Sequence, residues 1–303
     1  MKKVILALVV IATALCGCSK DIPTGPHTGH VGEYPILFGY SDTRAVADLD
    51  TLEAEGFKVY AYFTGYADDP QGRYGTFEKY VEHTTQNVWA YEGLEYWIPG
   101  VSYWFTAFYP HDLSGLQIQN NTKDQSYTIS GFDITEQVDV MVAKKATSVP
   151  ANAVAPSDGS KVSLNFEHLL SCVVVELHTS MSDVTVTKVS LLNITDGESC
   201  TNGAWTANSH LTASLFYDED TQVTNTNTDV TGGGFLVIPG KCDVTLKIET
   251  TQKDYEVKLS VDWAKGKKYT YTAEIKQNNI IFDDLPHVDV WDSESATGSV
   301  IIK

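Results

Sequence analysis

Positive charge is scarce in this chain. Its 303 residues carry 39 Asp and Glu against 21 Lys and Arg, a formal net charge of −18, and only two of the cations are arginines, Arg44 and Arg73. Such a surface repels phosphate backbones, so nucleic acid is excluded as a partner. Cysteine is sparse too: Cys16 and Cys18 near the N-terminus, then Cys172, Cys200 and Cys242. An odd count in the body of an exported chain argues against a disulfide framework. Cys172, inside SCVVVEL, reads as a buried small hydrophobe, and a Cys200–Cys242 bridge stays open. No segment after the N-terminus has the run of ~20 apolar residues that spans a bilayer, and no stretch has the period of an amphipathic helix of three turns. The motifs of catalysis are missing as well: no G-x-S-x-G, H-E-x-x-H, P-loop or EF-hand loop. Gly232-Gly233-Gly234 precedes a strand instead of opening a helix, so it is no phosphate cradle. His27 and His30 lack a third ligand at useful spacing, and Asp218-Glu219-Asp220 and Asp283-Asp284 read as solvated turns. Neither enzyme activity, nor a metal, nor a cofactor is expected.

The N-terminus is specific. Lys2-Lys3 precedes Val4–Leu15, an apolar run of 12 residues that ends in Leu15-Cys16-Gly17-Cys18. That is the length of a signal h-region, short of a membrane span. Its end resembles a bacterial lipobox, with Cys18 as the acylated residue, although Cys16 stands where a small residue is usual. Residues 1–17 are thus read as a signal peptide and 18–32, rich in Pro and Gly, as a tether. Several acyl chains on Cys18 would hold the protein to lipid, since each buried CH₂ contributes ~0.8 kcal/mol and one chain alone is marginal. Ser19-Lys20-Asp21 partly resembles the charged tags of surface lipoproteins in some Gram-negative anaerobes, which places the chain on the outer face of the outer membrane.

Hydrophobic residues make up 43% of the sequence, enough to fill real cores. They recur with period two. Glu95–Pro110, EYWIPGVSYWFTAFYP, reads strand, turn, strand about Pro99-Gly100, and rings on both faces of Val101–Tyr109 predict that both faces are covered. Tyr34–Tyr40 and Phe57–Tyr66 are further strands of a first half, Val81–Tyr91 contains another, and Tyr127–Ile129 and Val138–Ala143 are shorter candidates. Ser41–Leu52 and Ala67–Gly75 read as exposed loops. Thr147–Ser160, with two prolines and no periodicity, reads as the linker, dividing a sandwich over 33–150 from another over 161–303. Val162–Leu177 opens the second half, and His168 within it reads as a satisfied structural residue. Val184–Ile194, Leu211–Tyr217, Phe235–Ile238, Val244–Ile248, Tyr255–Val261, Lys268–Ile275 and Val288–Trp291 follow, with Ala264-Lys265-Gly266 as a hairpin turn. The class is all-β, built of sandwiches.

In this order, the lipobox, LFGYSDTRA (37–45), YWIPGVSYWFTAFYP (96–110), DVMVA (139–143), LNFEHLLSCVVVEL (164–177), FLVIPG (235–240), WAKGKKYTYTAEI (263–275) and VDVW (288–291) resemble the fimbrillin family. These are the lipoprotein pilins of Gram-negative anaerobes and their Mfa-like relatives. The resemblance implies two tandem transthyretin-like β-sandwich domains and a subunit of a pilus. It also implies that an Arg-specific protease cuts between Arg44 and Ala45. The first strand, with Tyr34, Ile36, Leu37, Phe38 and Tyr40, would then give way to a donor strand from another fimbrillin-like subunit. Only 12 residues follow Trp291, short for a donor strand, so a minor, tip or accessory subunit is expected rather than a stalk. The competing reading is a surface lipoprotein that never polymerises and binds glycan or host protein.

Overall fold

Alternation of apolar and polar residues sets the strands of the first half. The computed structural model describes residues 34–40, 49–66, 72–84, 88–196, 198–206, 212–282, 285–291, 293–297 and 301–302. The elements run β1 (Leu37–Tyr40), a two-turn helix α1 (Leu49–Glu55), β2 (Phe57–Gly65), β3 (Tyr74–His83), β4 (Trp89–Ala90) and β5 (Val101–Tyr109). They continue with β6 (Leu116–Ile118), β7 (Tyr127–Phe132), β8 (Met141–Val149), β9 (Lys161–Leu164) and β10 (Glu167–His168). One sheet has the order β10-β8-β5-β2-β3-β4. Its centre, β5, pairs with β8 along its whole length and with β2 from Val101 to Phe108. Val101, Tyr103, Phe105 and Ala107 enter a first core with Phe57, Val59 and Ala61 of β2, while Phe108 on the opposite face enters a second core. Both faces are thus covered at the Phe108 end, and Ser102 and Trp104 remain half-buried at the other.

Several expectations fail here for physical reasons. Glu95–Pro110 is not a hairpin. Residues 95–97 pair with 34–36, through Ile36 N–H to Glu95 O (2.8 Å) and Trp97 N–H to Tyr34 O (2.9 Å), because Pro99-Gly100 carries the chain from one layer to the other. Ser41–Leu52 is not all exposed loop: α1 begins in it and buries Leu52. Gly56, at φ 73°, ends α1 and donates to Leu52 O, and a Cβ there would lie 2.4 Å from Val81 O. The third strand starts at Tyr74, inside the expected 67–75 loop, and stops at His83. Strand β8 runs into the expected linker and buries Val149, and Ala153 and Ala155 pack on the first core. Nor does Val162 open the second half. β9 pairs in parallel with β1, and Val162, Leu164 and Phe166 belong to the first core. Alternation marks a buried face without saying which core receives it.

The second half continues with β11 (Ser171–Thr179), β12 (Val184–Thr195), β13 (Glu198–Thr201), β14 (Ala204–Thr206), β15 (Thr212–Tyr217), β16 (Thr221–Val223), β17 (Thr228–Asp229) and β18 (Phe235–Val237). Then come β19 (Gly240–Thr250), β20 (Asp254–Trp263), β21 (Lys267–Ile275), β22 (Ile280–Phe282), β23 (His287–Val290), β24 (Ser293–Thr297) and β25 (Ile301–Ile302). One sheet reads β17-β11-β21-β23-β24, with β18 on β11 and β22 on β21; the other reads β15-β12-β19-β20-β25, with β16 on β12. Valines, leucines and isoleucines of β11, β12 and β19 share one core, the two-layer solution for sheets with one apolar face. β11 and β21 are parallel through eight residue pairs. Ala264–Gly266 is therefore not a hairpin turn: it carries the chain from β20 in one sheet to β21 in the other. It is held by the Ala264 N–H on the Tyr269 hydroxyl (2.8 Å) and the Gly266 N–H on Leu170 O (2.8 Å). A small sheet, β14-β13-β7-β6, ties the halves together. The architecture is all-β, of sandwich layers. Cys172, Cys200 and Cys242 are free thiols, so the Cys200–Cys242 bridge is not formed.

Candidate functional site

Residues 34–40 lie in the layer opposite the β5 sheet, between two other backbones. On one edge they make the two bonds to Glu95 and Trp97. On the other, the Leu37 N–H reaches Ser160 O (3.3 Å) and the register runs from Leu37 against Lys161 to Tyr40 against Leu164. Ile36 and Phe38 point into the first core at 0% and 2% exposure. The Phe38 ring lies 5.4 Å from Tyr91 and 5.6 Å, edge-on, from Phe105, a geometry favourable for aromatic quadrupoles.

The seat itself is built from groups outside the strand. The Tyr91 hydroxyl donates to Ile36 O (2.6 Å) and accepts from Glu95 N–H (3.2 Å). Trp97 stands edge-on to Tyr103 and Phe105, and its Nε1–H donates to Ser160 O (3.0 Å). The Tyr103 hydroxyl accepts from Ile98 N–H (3.0 Å). Burial pushes the Tyr91 phenol well up and the Tyr103 phenol up to about 12. Both stay neutral and serve as hydrogen-bonding struts. The arrangement holds an extended segment by packing and hydrogen bonds. It is a slot: a short extended segment fills apolar pockets at alternate positions and satisfies backbone groups on both sides. The sequence reading missed Tyr91, Trp97 and Ser160 as parts of it. Their signal is weak, since Tyr91 and Trp97 read only as strand residues, Ser160 only as linker, and all three meet the segment only through the fold.

A family model described as fimbrillin-like matches residues 43–286. The chain belongs to the fimbrillin-like family. The solved structure of a "putative cell adhesion protein" from Bacteroides ovatus ATCC 8483 matches with a TM-score of 0.54 and 15% identity, over 86% of this chain and 99% of that one. A protein of the same description from Bacteroides uniformis ATCC 8492 matches with a TM-score of 0.52 and 16% identity, over 86% and 99%. At these identities the likeness is one of fold. A search of curated proteins returns no match.

Of the fimbrillin-like chain's expected site residues, Tyr34, Ile36, Leu37 and Phe38, with the Tyr40 backbone, come together in this slot. Cys18, Arg44 and Ala45 lie outside the described residues. The second arginine, Arg73, is half-buried where β2 and β3 begin to pair, its carbonyl accepting from Gly65 N–H (2.6 Å). His168 is structural, as its setting suggested: its side chain is 1% exposed, Nδ1 lies 2.6 Å from Asp139 Oδ2, and the ring stacks on Trp291 at 4.0 Å. Among the described residues no cluster of three metal-ligating side chains occurs, and no helix is long and apolar enough to cross a membrane.

Proposed function

We propose that this fimbrillin-like protein is a surface subunit, minor, tip or accessory in kind. It joins other fimbrillin-like subunits after residues 34–40 are released and a partner's strand takes their place. Acyl chains on Cys18 hold the unprocessed chain to the outer membrane, and an Arg-specific protease opens it between Arg44 and Ala45. The observation that carries this reading is the seating of residues 34–40. They bury two large side chains and bond on both edges, yet over so short a ladder that another extended segment of the same pattern can replace them. Leaving the slot empty costs ~1.5–3 kcal/mol for each large side chain's lost burial and ~1–3 kcal/mol for each buried backbone group left unpaired. A cut chain therefore keeps its strand until a competitor arrives. Strands β24 and β25 pair with the chain's own β23 and β20, which supports the accessory role over a stalk role, since a stalk subunit lends its tail to a neighbour.

The test is Arg-specific digestion of the purified protein, followed by intact mass measurement and a peptide-exchange assay with co-expressed subunits. Cleavage after Arg44 is expected, with the N-terminal fragment still bound and then displaced. Arg73 is expected to resist because its carbonyl is bonded to Gly65 N–H at the start of the β2–β3 ladder. Arg44→Ala should abolish both steps with the fold intact. If the fragment never forms, or is never displaced, the reading falls to that of a surface lipoprotein that acts alone as an adhesin.

A further inference from the structure

A cleft of about 520 Å³ opens where the two halves meet. Glu55, the last residue of α1, and Tyr109, the last of β5, wall it on one side. Asp139 and His168 line it too, as do Trp291 and the loop Gly232–Gly234 of the second sandwich. That volume exceeds the ~30 Å³ share of one water and falls within the ~300–1,000 Å³ of small-ligand sites.

Its chemistry is one-sided. Among the described residues that line it are two carboxylates and His168, and no lysine or arginine. Glu55 Oε2 accepts the Tyr109 hydroxyl (2.8 Å), which orients the carboxylate. Asp139 Oδ2 meets His168, but Asp139 Oδ1 is buried with no hydrogen-bond partner among the described residues. A buried carboxylate oxygen without a donor is costly and calls for one. The glycine loop is fixed from behind by Asp229, which accepts from Thr231 N–H (2.7 Å) and Gly233 N–H (2.8 Å). An indole wall beside two carboxylates suits a cation on a carbon stem, through ring quadrupole and charge together.

The geometry points to a binding site for an organic cation, an alkylammonium or guanidinium group, held between Glu55 and Asp139 with its stem against Trp291. A free polyamine and a lysine or arginine side chain of a partner share this chemistry. The site is independent of strand release at residues 34–40, because none of its walls comes from that segment.

The test is calorimetric titration of the full chain with spermidine and, separately, with Nα-acetyl-arginine methylamide, at low and at physiological salt. Saturable one-to-one binding of at least one probe is expected. Glu55→Gln should weaken it about threefold or more, because the amide oxygen still accepts from Tyr109 while the charge is gone. Asp139→Asn should weaken it as well, with the thermal midpoint showing that the fold survives. Glu256→Gln, which removes the same charge from an exposed position on β20, should leave binding unchanged. Binding of spermidine alone assigns a free polyamine, and binding of the arginine amide alone assigns a partner's side chain. No saturable binding, or equal weakening by Glu256→Gln and Glu55→Gln, overturns the site.

Discussion

At the scale of single residues, apolar alternation and burial tell most. Ile36 and Phe38 are legible from sequence as the inward pair of a strand, and Cys172 as a buried small hydrophobe. What Cys172 does to pH dependence needs the fold. Burial, chiefly, raises its thiol from 9.0 to about 11. The unfolded chain loses that proton above pH 9 while the folded chain keeps it. Its contribution to stability is thus fully present below pH 9 and is lost as pH rises toward 11, at about 1.4 kcal/mol per pH unit. Urea titrations between pH 8 and 11 should show stability falling, and Cys172→Ala should make that fall shallower. An identical slope in the variant would assign the alkaline loss wholly to other groups, such as Cys242, which burial raises to about 12, or the buried tyrosines.

At the scale of elements, strand existence was legible and strand partnership much less so. Val101–Tyr109 follows from its own alternation. Its pairing with β2 and β8 rather than with residues 95–98 does not, because Pro99-Gly100 has the chemistry of a hairpin turn and of a crossing between layers alike. Ala264–Gly266 misleads for the same reason. The short strands β6, β13, β14, β16 and β17 have two to four residues each, too few for a period to register; tertiary pairing alone makes them strands. For β1, side-chain burial and ladder bonds can be separated by mutation. Phe38→Ala removes a fully buried ring and should cost about 3–5 kcal/mol in equilibrium denaturation. Leu37→Ala, one position along and half-buried, should cost about 1 kcal/mol or less, since surface changes away from packing sites are small. In a chain cut after Arg44, Phe38→Ala should release the fragment on size-exclusion chromatography where the unsubstituted fragment stays bound. Equal costs for the two variants would mean that the backbone ladder, not the Phe38 pocket, retains the strand.

At the scale of the whole molecule, the sequence divides more cleanly than the fold does. Thr147–Ser160 has the composition of a linker, and Ala151, Asn152 and Ser157–Gly159 within it are exposed, so a protease will find it. Composition is local, however, and what crosses the segment is not. Past it, β9 pairs with β1 and β10 pairs with β8. Phe166 packs on Phe57 with ring centroids 5.2 Å apart. From the other side, β7 pairs with β13, and Phe108, Tyr127 and Ile129 sit in the second core. We propose two sandwich units that exchange strands across their boundary rather than two beads on a string. Limited digestion should therefore nick between 150 and 160, giving two bands under denaturing conditions, while the nicked protein elutes as one particle of unchanged size in native buffer. The two pieces should part only in denaturant, in a single transition, because separating them exposes Val162, Leu164 and Phe166 on one side and the β7 pairing on the other. Two compact fragments eluting apart in native buffer would mean that neither exchange contributes to cohesion and that the segment is a linker in structure as well as in composition.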